Sequence, residues 1–151
     1  MSRPTPQPDL AACHCTALRK AARRVSLLYD RHLSAVGLTS GQFAVLTQLA
    51  SWPSGCNPSL AELARSLVLD RTALTRALQP VLRDGLVQLV EHPQDRRMRL
   101  VHLTSAGRKR LIQASGRWAA AQAKYALAIG ERQAVALRAL SQSVAEVELD
   151  P

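Results

Sequence analysis

Apolar residues near the start of the chain recur every three or four positions, the spacing of one face of an amphipathic helix. Most of the nearby cations fall elsewhere on the helical wheel. The pattern predicts a long helix over residues 10–36 that ends before Gly37. The apolar stripe consists of Cys15, Leu18, Ala22, Val25 and Tyr29.

The segment that follows predicts two shorter helices separated by a loop. Residues 39–51 have a helical apolar pattern, whereas residues 52–58 contain two prolines and a glycine. Ser59 and Glu62 have the spacing of a capping box, in which each side chain bonds the backbone of the other residue. They predict a helix that runs to about Ser66.

A further helix is predicted from Asp70, whose carboxylate can cap its first turn. Pro80 lies inside this helix, and because proline lacks an N–H we expect it to kink or end the regular part early. The apolar positions of the segment are Leu74, Ala77, Leu78, Val81 and Leu82.

The second half of the chain predicts a hairpin and two helices. Gly85 supplies a stop, and residues 86–91 and 99–104 are β-like runs on either side of a basic loop, 92–98. A long helix follows over 104–127, and Gly130 separates it from a last helix over 131–147. Four residues of the last helix are expected to point inward: Val135, Leu137, Leu140 and Val144.

These elements predict a mainly α fold with a small β-wing. We expect a disordered arm over 1–9 and a single domain over 10–151. Within it, residues 39–104 have the element order of a winged helix-turn-helix, and the helices over 10–36 and 108–147 lie on either side of that unit in the sequence.

The charge of the chain favours a polyanionic partner. The formal net charge is +9, and the pI is about 10.7. Residues 60–110 hold ten cations against five anions, so the middle of the chain is the expected basic surface. Aromatic residues make up only 3%, which disfavours single-strand binders that stack bases on exposed rings.

The helix after Asp70 has the two faces that a helix in the major groove of DNA requires. One face is apolar and can dock on the scaffold, and the other carries short polar and arginine side chains that can reach base edges. The candidate DNA-binding residues on this helix are Arg71, Thr72, Thr75, Arg76 and Gln79.

The loop between the predicted strands supplies a second set of candidates, Asp95, Arg96 and Arg97. An acidic residue among arginines makes electrostatic sense if it holds one of them in place. We therefore expect Asp95 to pair with one arginine while the other enters the minor groove.

The chain resembles the MarR family of bacterial transcription regulators over about residues 10–147. The resemblance implies a homodimer built from the dimerisation helices over 10–36 and 108–147. It also implies binding to a palindromic operator, with repression relieved by a ligand or by oxidation. Pro80 departs from the family pattern, so reading is expected from the N-terminal half of its helix. The matching blocks are 59–64, 69–76, 82–87, 95–97 and 103–107.

A homodimer also has a direct argument. The last helix is apolar on one face, poorly basic and distant in sequence from the wing. Two-fold symmetry would give this helix an interface and predicts half-sites about one helical turn apart. The alternative is that it packs only within its own chain.

Cys13, His14 and Cys15 leave several interpretations open. As a metal site the motif offers two thiols and one imidazole. As a redox sensor, Cys15 resembles the reactive cysteine of the hydroperoxide-sensing MarR branch, with Cys13 as a resolving or intersubunit thiol. Tyr29 also matches that branch, whereas Arg19 and Ser40 replace its aromatic residues. As a structural residue, Cys15 would be a small apolar group on the buried stripe.

The resemblance also implies an effector pocket between the dimerisation and DNA-binding parts, for a small apolar or aromatic acid. Its candidate lining residues are Leu28, His32, Phe43 and Trp118.

Two other classes of function stay open. One is a non-specific nucleic-acid-binding protein, and the other is a thiol-based redox enzyme that uses Cys15. The sequence contains no glycine-rich phosphate loop, nucleophile elbow or zinc-helix motif, so we expect no catalytic site, metal or cofactor. We also expect no membrane partner and a cytoplasmic, nucleoid-associated protein.

Overall fold

The computed structural model describes residues 9–147. Most of the predicted arm, and the residues after 147, therefore lie outside the described part. A short 3₁₀ turn, Leu10–Ala12, precedes helix α1, His14–Leu33. A second 3₁₀ turn, Ser34–Val36, ends at Gly37 in the left-handed conformation, close to the predicted boundary.

The remaining elements follow the predicted order. One helix is followed by a closely spaced pair of helices, two antiparallel strands and two long helices. Within the described residues no helix is both long and apolar enough to cross a membrane. The bounds are α2 Ser40–Ala50, α3 Leu60–Ser66, α4 Arg71–Arg83, β1 Val87–Glu91, β2 Arg99–Leu103, α5 Ser105–Ile129 and α6 Glu131–Glu146.

Side-chain caps fix where the helices of the middle region begin. Ser59 and Glu62 form the predicted capping box at the start of α3. The Asp70 carboxylate accepts a hydrogen bond from the Ala73 N–H at 2.7 Å and so starts α4. Thr104 caps α5, and its hydroxyl also donates to the Gly85 carbonyl at 2.8 Å. These caps satisfy N–H groups that the helices leave free.

One hydrophobic core joins the wing to the helices. Leu46 of α2, Leu63 of α3 and Val81 of α4 are almost completely buried in it. Val87 and Val101 contribute from the two strands. This shared core holds α4 and the wing in a fixed relation to each other.

The expected early end of the helix at Pro80 is wrong, because α4 continues through it to Arg83. A proline removes one backbone hydrogen bond and crowds the preceding turn. Val81, the next residue, is buried to 1% exposure. The Asp84 N–H also bonds the Pro80 carbonyl at 2.9 Å, so packing and this bond retain the last turn.

The wing carries a third extended segment that the sequence did not indicate. Strands β1 and β2 pair from Val87 with Leu103 to Glu91 with Arg99. Ser59 forms an isolated bridge with Leu100 beside them. Because this bridge directly precedes α3, it ties the start of the helix-turn-helix to the wing.

The turn between α3 and α4 contains a backbone conformation that is unusual for its residue. Val68 has φ of +52°, in the left-handed region. The Leu69 N–H bonds the Ala64 carbonyl at 2.9 Å and closes the turn. The left-handed conformation costs an L-residue with a Cβ about 1–2 kcal/mol, and it is still rarer for β-branched residues.

The last helix does not turn its apolar residues inward within its own chain, and that part of the prediction is wrong. Leu140 is 66% exposed and Val144 is 48% exposed. Ala134 is the one partly buried residue of α6 among those described. The helix keeps an apolar face that this protomer leaves uncovered.

Candidate nucleic-acid interface

The outer face of α4 carries a line of exposed polar side chains. Thr72, Arg76, Gln79 and Arg83 recur at steps of four, three and four residues, which places them along one side of the helix. The buried residues Leu74, Leu78 and Val81 hold the opposite side against the core. Sequence reasoning identified the first three and missed Arg83, although the same periodicity includes it.

Arg71 and Thr75 flank this line, and both are exposed. The Thr75 hydroxyl donates to the Arg71 carbonyl at 2.8 Å, so its proton is already engaged. Thr75 therefore offers a methyl group and oxygen lone pairs. Arg71 occupies the first turn of α4, where the helix dipole already favours an anion.

Asp95 does not pair with an arginine side chain, so that expectation is wrong. Its Oδ1 accepts a hydrogen bond from the backbone N–H of Arg97 at 2.9 Å. A short carboxylate reaches the N–H two residues ahead with little ordering, whereas an ion pair must also fix a long arginine. In the described part of the chain, the ion pairs are Arg83 with Asp84 and Arg99 with Glu91.

The wing tip is ordered by its own backbone, and both of its arginines are exposed. The His92 N–H donates to the Met98 carbonyl at 3.1 Å, and the Met98 N–H donates to the Asp95 carbonyl at 3.0 Å. Arg96 and Arg97 point their charges into solvent. The loop thus presents two unpaired cations on a closed turn.

The two cysteines of the first motif differ in their surroundings. Cys13 is the N-cap of α1, and its Sγ accepts a hydrogen bond from the Thr16 N–H at 3.5 Å. Hydrogen bonding from Thr16 lowers the pKa of the Cys13 thiol. Cys15 is exposed, so its expected place on a buried stripe is wrong within a single protomer.

The structure brings no further metal-binding side chains to the Cys13–Cys15 motif within the described residues. Across residues 9–147, no three histidine, cysteine or acidic side chains come together as a candidate metal cluster.

The four residues of the expected effector pocket are only partly brought together. The rings of Phe43 on α2 and Trp118 on α5 stack with centroids 6.5 Å apart and an interplanar angle of 24°. Leu28 and His32 are half-buried on α1.

None of the four expected pocket residues lines a cleft that the structure shows between three of its helices. That cleft, of about 680 Å³, lies between α1, α5 and α6. Its polar groups include Tyr29, Gln122, Tyr125 and Arg138. The Tyr29 hydroxyl donates to the Gln122 side-chain oxygen, and burial raises the pKa of Tyr29.

A family model described as the MarR family matches residues 38–98, the part of the chain that forms α2, the helix-turn-helix and most of the wing. A solved structure supports the same assignment over the whole fold. MosR, a transcriptional regulator of M. tuberculosis, is 32% identical and superposes with a TM-score of 0.73. The match covers 90% of this chain and 98% of MosR.

The chain belongs to the MarR family.

Other relatives agree with this membership. The transcriptional activatory protein BadR of Rhodopseudomonas palustris is 41% identical over 78 residues, which are 52% of this chain and 45% of BadR. This MarR-family chain therefore spans about half the length of the curated relatives it matches.

The transcriptional repressor CouR of Rhodococcus jostii RHA1, which has a solved structure, is 26% identical in sequence to this chain. The match has a TM-score of 0.78 and covers 95% of this chain and 100% of CouR. The fold of this chain thus matches that of CouR over nearly its whole length.

Proposed function

We propose that this MarR-family chain is a sequence-specific, duplex-DNA-binding transcriptional repressor that acts as a homodimer on a palindromic operator in the cytoplasm. The observation that carries the proposal is the outer face of α4, where polar and cationic side chains lie opposite a buried apolar face. A recognition helix needs this division.

In this proposal α4 enters the major groove and the wing lies beside it. Arg76 takes a guanine edge or a phosphate, and Gln79 reaches an adenine edge. Arg71 and Thr72 contact the duplex at the N-terminal end of the helix. Arg96 or Arg97 enters the minor groove, where a narrow groove concentrates negative potential.

Solved relatives support a DNA partner. CouR has been solved with a 23-mer DNA duplex, and MosR has been solved in complex with DNA. Their winged-helix folds match 95% and 89% of this chain. Repression is proposed from the similarity to CouR, which is a transcriptional repressor.

A homodimer is supported by the apolar surface that one protomer leaves open. Leu18 on α1, Leu127 on α5 and Leu140 on α6 are each substantially exposed. They lie on the terminal helices, away from the face of α4. A second copy related by two-fold symmetry would cover the same surface on both partners.

Release from the operator follows one of two routes in this proposal. One is a small apolar or aromatic acid bound between the dimerisation and DNA-binding parts, near Phe43 and Trp118. A ligand-bound relative favours release by a ligand, since CouR has been solved with p-coumaroyl-CoA, the coenzyme A thioester of an aromatic acid.

The other route is oxidation of the Cys13–Cys15 motif by a hydroperoxide. The sequence assigned the reactive role to Cys15, but hydrogen bonding from Thr16 lowers the pKa of the Cys13 thiol, and the thiolate is the nucleophile, so the proposal gives this role to Cys13. The Cys13 sulfur attacks a peroxide oxygen, the O–O bond breaks, and an alcohol leaves as a sulfenic acid forms. A second thiol, Cys15 in this proposal, then displaces water and forms a disulfide.

Selection of bound duplexes from a random library tests the proposal. We expect a palindrome with half-sites about one helical turn apart. Recovery of no preferred sequence would favour a non-specific nucleic-acid-binding protein instead.

Titration of the selected duplex with cumene hydroperoxide separates the release routes. Oxidation predicts release of the wild type and retention by Cys13→Ser, with Cys56→Ser as a control that behaves as wild type. Equal release of all three proteins would remove the thiol route.

A further inference from the structure

Val68 is the residue of the helix-turn-helix that fits its own protomer least well. Its φ of +52° lies in a region that suits glycine or asparagine. The residue is 69% exposed, so its side chain gains little packing in return. Neither the backbone nor the core of this protomer favours valine here.

The neighbours of Val68 show which way its side chain points. Leu67 and Leu69 both pack against the hydrophobic core. Val68 lies between them and points away from that core. It precedes the Asp70 cap by two residues, at the point where the chain enters α4, and the first residues of that helix, Arg71 and Thr72, are exposed as well.

We propose that Val68 contacts duplex DNA directly and reads a thymine 5-methyl group at the edge of the major groove. The thymine methyl is the apolar group that the major-groove edge of a base pair offers. An exposed isopropyl group at the entry of the recognition helix matches it in chemistry. This inference rests on the proposed function, because it requires α4 to dock in the groove.

The contact accounts for a valine at a strained position. Glycine would relieve the backbone but would remove both methyl groups. Stability of the protomer and affinity for the operator therefore respond in opposite directions to the same change. A residue that is merely tolerated in the turn would affect stability alone.

Two variants and a modified duplex test the contact. Val68→Gly relieves the strained φ, and we expect its melting temperature to rise by about 2–4 °C. Val68→Ala keeps a Cβ in the left-handed region and removes only the methyl groups. We expect Val68→Ala to bind the selected operator about fifteenfold more weakly, because a homodimer loses the effect of one apolar carbon left in water, about fourfold, in each of its two half-sites.

Replacement of thymine by deoxyuridine, one position at a time, identifies the partner. At one position in each half-site we expect the wild type to lose about fourfold and Val68→Ala to lose nothing further. Such coupling is the signature of a direct contact. Equal binding by wild type and Val68→Ala would overturn the inference. It would also be overturned if the affinity of Val68→Ala stayed below that of the wild type by the same factor on every deoxyuridine duplex.

The same titrations distinguish this inference from the function on which it rests. Wild-type protein that binds no duplex would contradict the proposed function and the contact together. Wild-type protein that binds its operator while Val68→Ala binds equally well would contradict the contact alone.

Discussion

The ring of Phe43 stacks on the ring of Trp118, and this pair joins the DNA-binding half of the chain to the long helix α5. Phe43 lies on α2 and packs against the core that also holds α4. Trp118 lies near the middle of α5, and α5 is followed by α6, the helix whose apolar face is uncovered. A change in the position of α5 would therefore reach the core through this contact.

A double-mutant cycle with Phe43→Leu and Trp118→Leu measures the strength of this connection. We expect a coupling free energy of about 0.5–1.5 kcal/mol, because stacked aromatic pairs contribute that much beyond the area they bury. Urea unfolding of the four proteins provides the values. Additive effects within about 0.3 kcal/mol would mean that the rings do not interact.

The backbone of Gly107 lies too close to Leu86 to accommodate a side chain. A Cβ at this position would collide with the Leu86 carbonyl oxygen and with the Leu103 side chain. We expect Gly107→Ala to lower the free energy of unfolding by about 1–3 kcal/mol, the usual cost of overpacking.

Gly116 on the same helix is the matched control, because a Cβ there meets nothing within 4 Å. Gly116→Ala should raise stability by about 0.5–1 kcal/mol through the better helix propensity of alanine. Denaturant titration of both variants checks the pair. A neutral Gly107→Ala would show that α5 can shift away from the wing.

Glu62 makes the stability of the chain depend on pH in the acid range. The backbone N–H of Ser59, and then its hydroxyl, donate to this carboxylate and lower its pKa below the usual 4.5. A lowered pKa contributes stability that is present above pH 4.5 and is lost as the pH falls through the folded-state value.

Glu62→Gln keeps an oxygen that can accept these bonds but has no proton to gain. We expect its melting temperature to fall less steeply than that of the wild type below pH 4.5. Calorimetry across the acid range makes the comparison. Parallel curves would mean that the capping box contributes nothing to the acid response.

Leu140 tests whether a second copy covers α6. A glutamate at this 66% exposed position would leave a single protomer nearly unchanged but would bury a charge in an interface. We expect Leu140→Glu to sediment as a monomer and the wild type as a dimer. Leu89→Glu on the wing, at an exposed leucine outside that surface, should remain dimeric.

Two other results would contradict this account of α6. A wild type that sediments as a monomer would leave its apolar face without a partner. A dimer that persists in Leu140→Glu would place the interface elsewhere.

The sequence predicted the helix starts well because caps are local. Each cap bonds an N–H within three residues, and such spacing is visible in the sequence. The caps are the Ser59–Glu62 capping box, Asp70 and Thr104. Pro80 misled because its local effect was weighed without the burial of Val81, which depends on α4 meeting the rest of the core.

The sequence could not tell which surface covers an apolar face. The spacing of Cys15 and of Leu140 indicated the apolar sides of α1 and α6 but not their exposure within one protomer. Asp95 was assigned a charged partner by composition, whereas the nearest donor was a backbone N–H. The exposed positions of Arg71, Thr72, Arg76 and Gln79 agree with the predicted outer face of the recognition helix.

The most direct test of the account is the affinity of Arg76→Ala for the selected operator, measured by fluorescence anisotropy beside Arg24→Ala. Both arginines are exposed, but Arg24 lies on α1, away from the proposed interface. We predict that Arg76→Ala costs about 1–3 kcal/mol and relaxes the preference at one base pair, with Arg24→Ala unchanged. Unchanged affinity in Arg76→Ala, or an equal loss in both variants, would contradict the placement of α4 in the major groove.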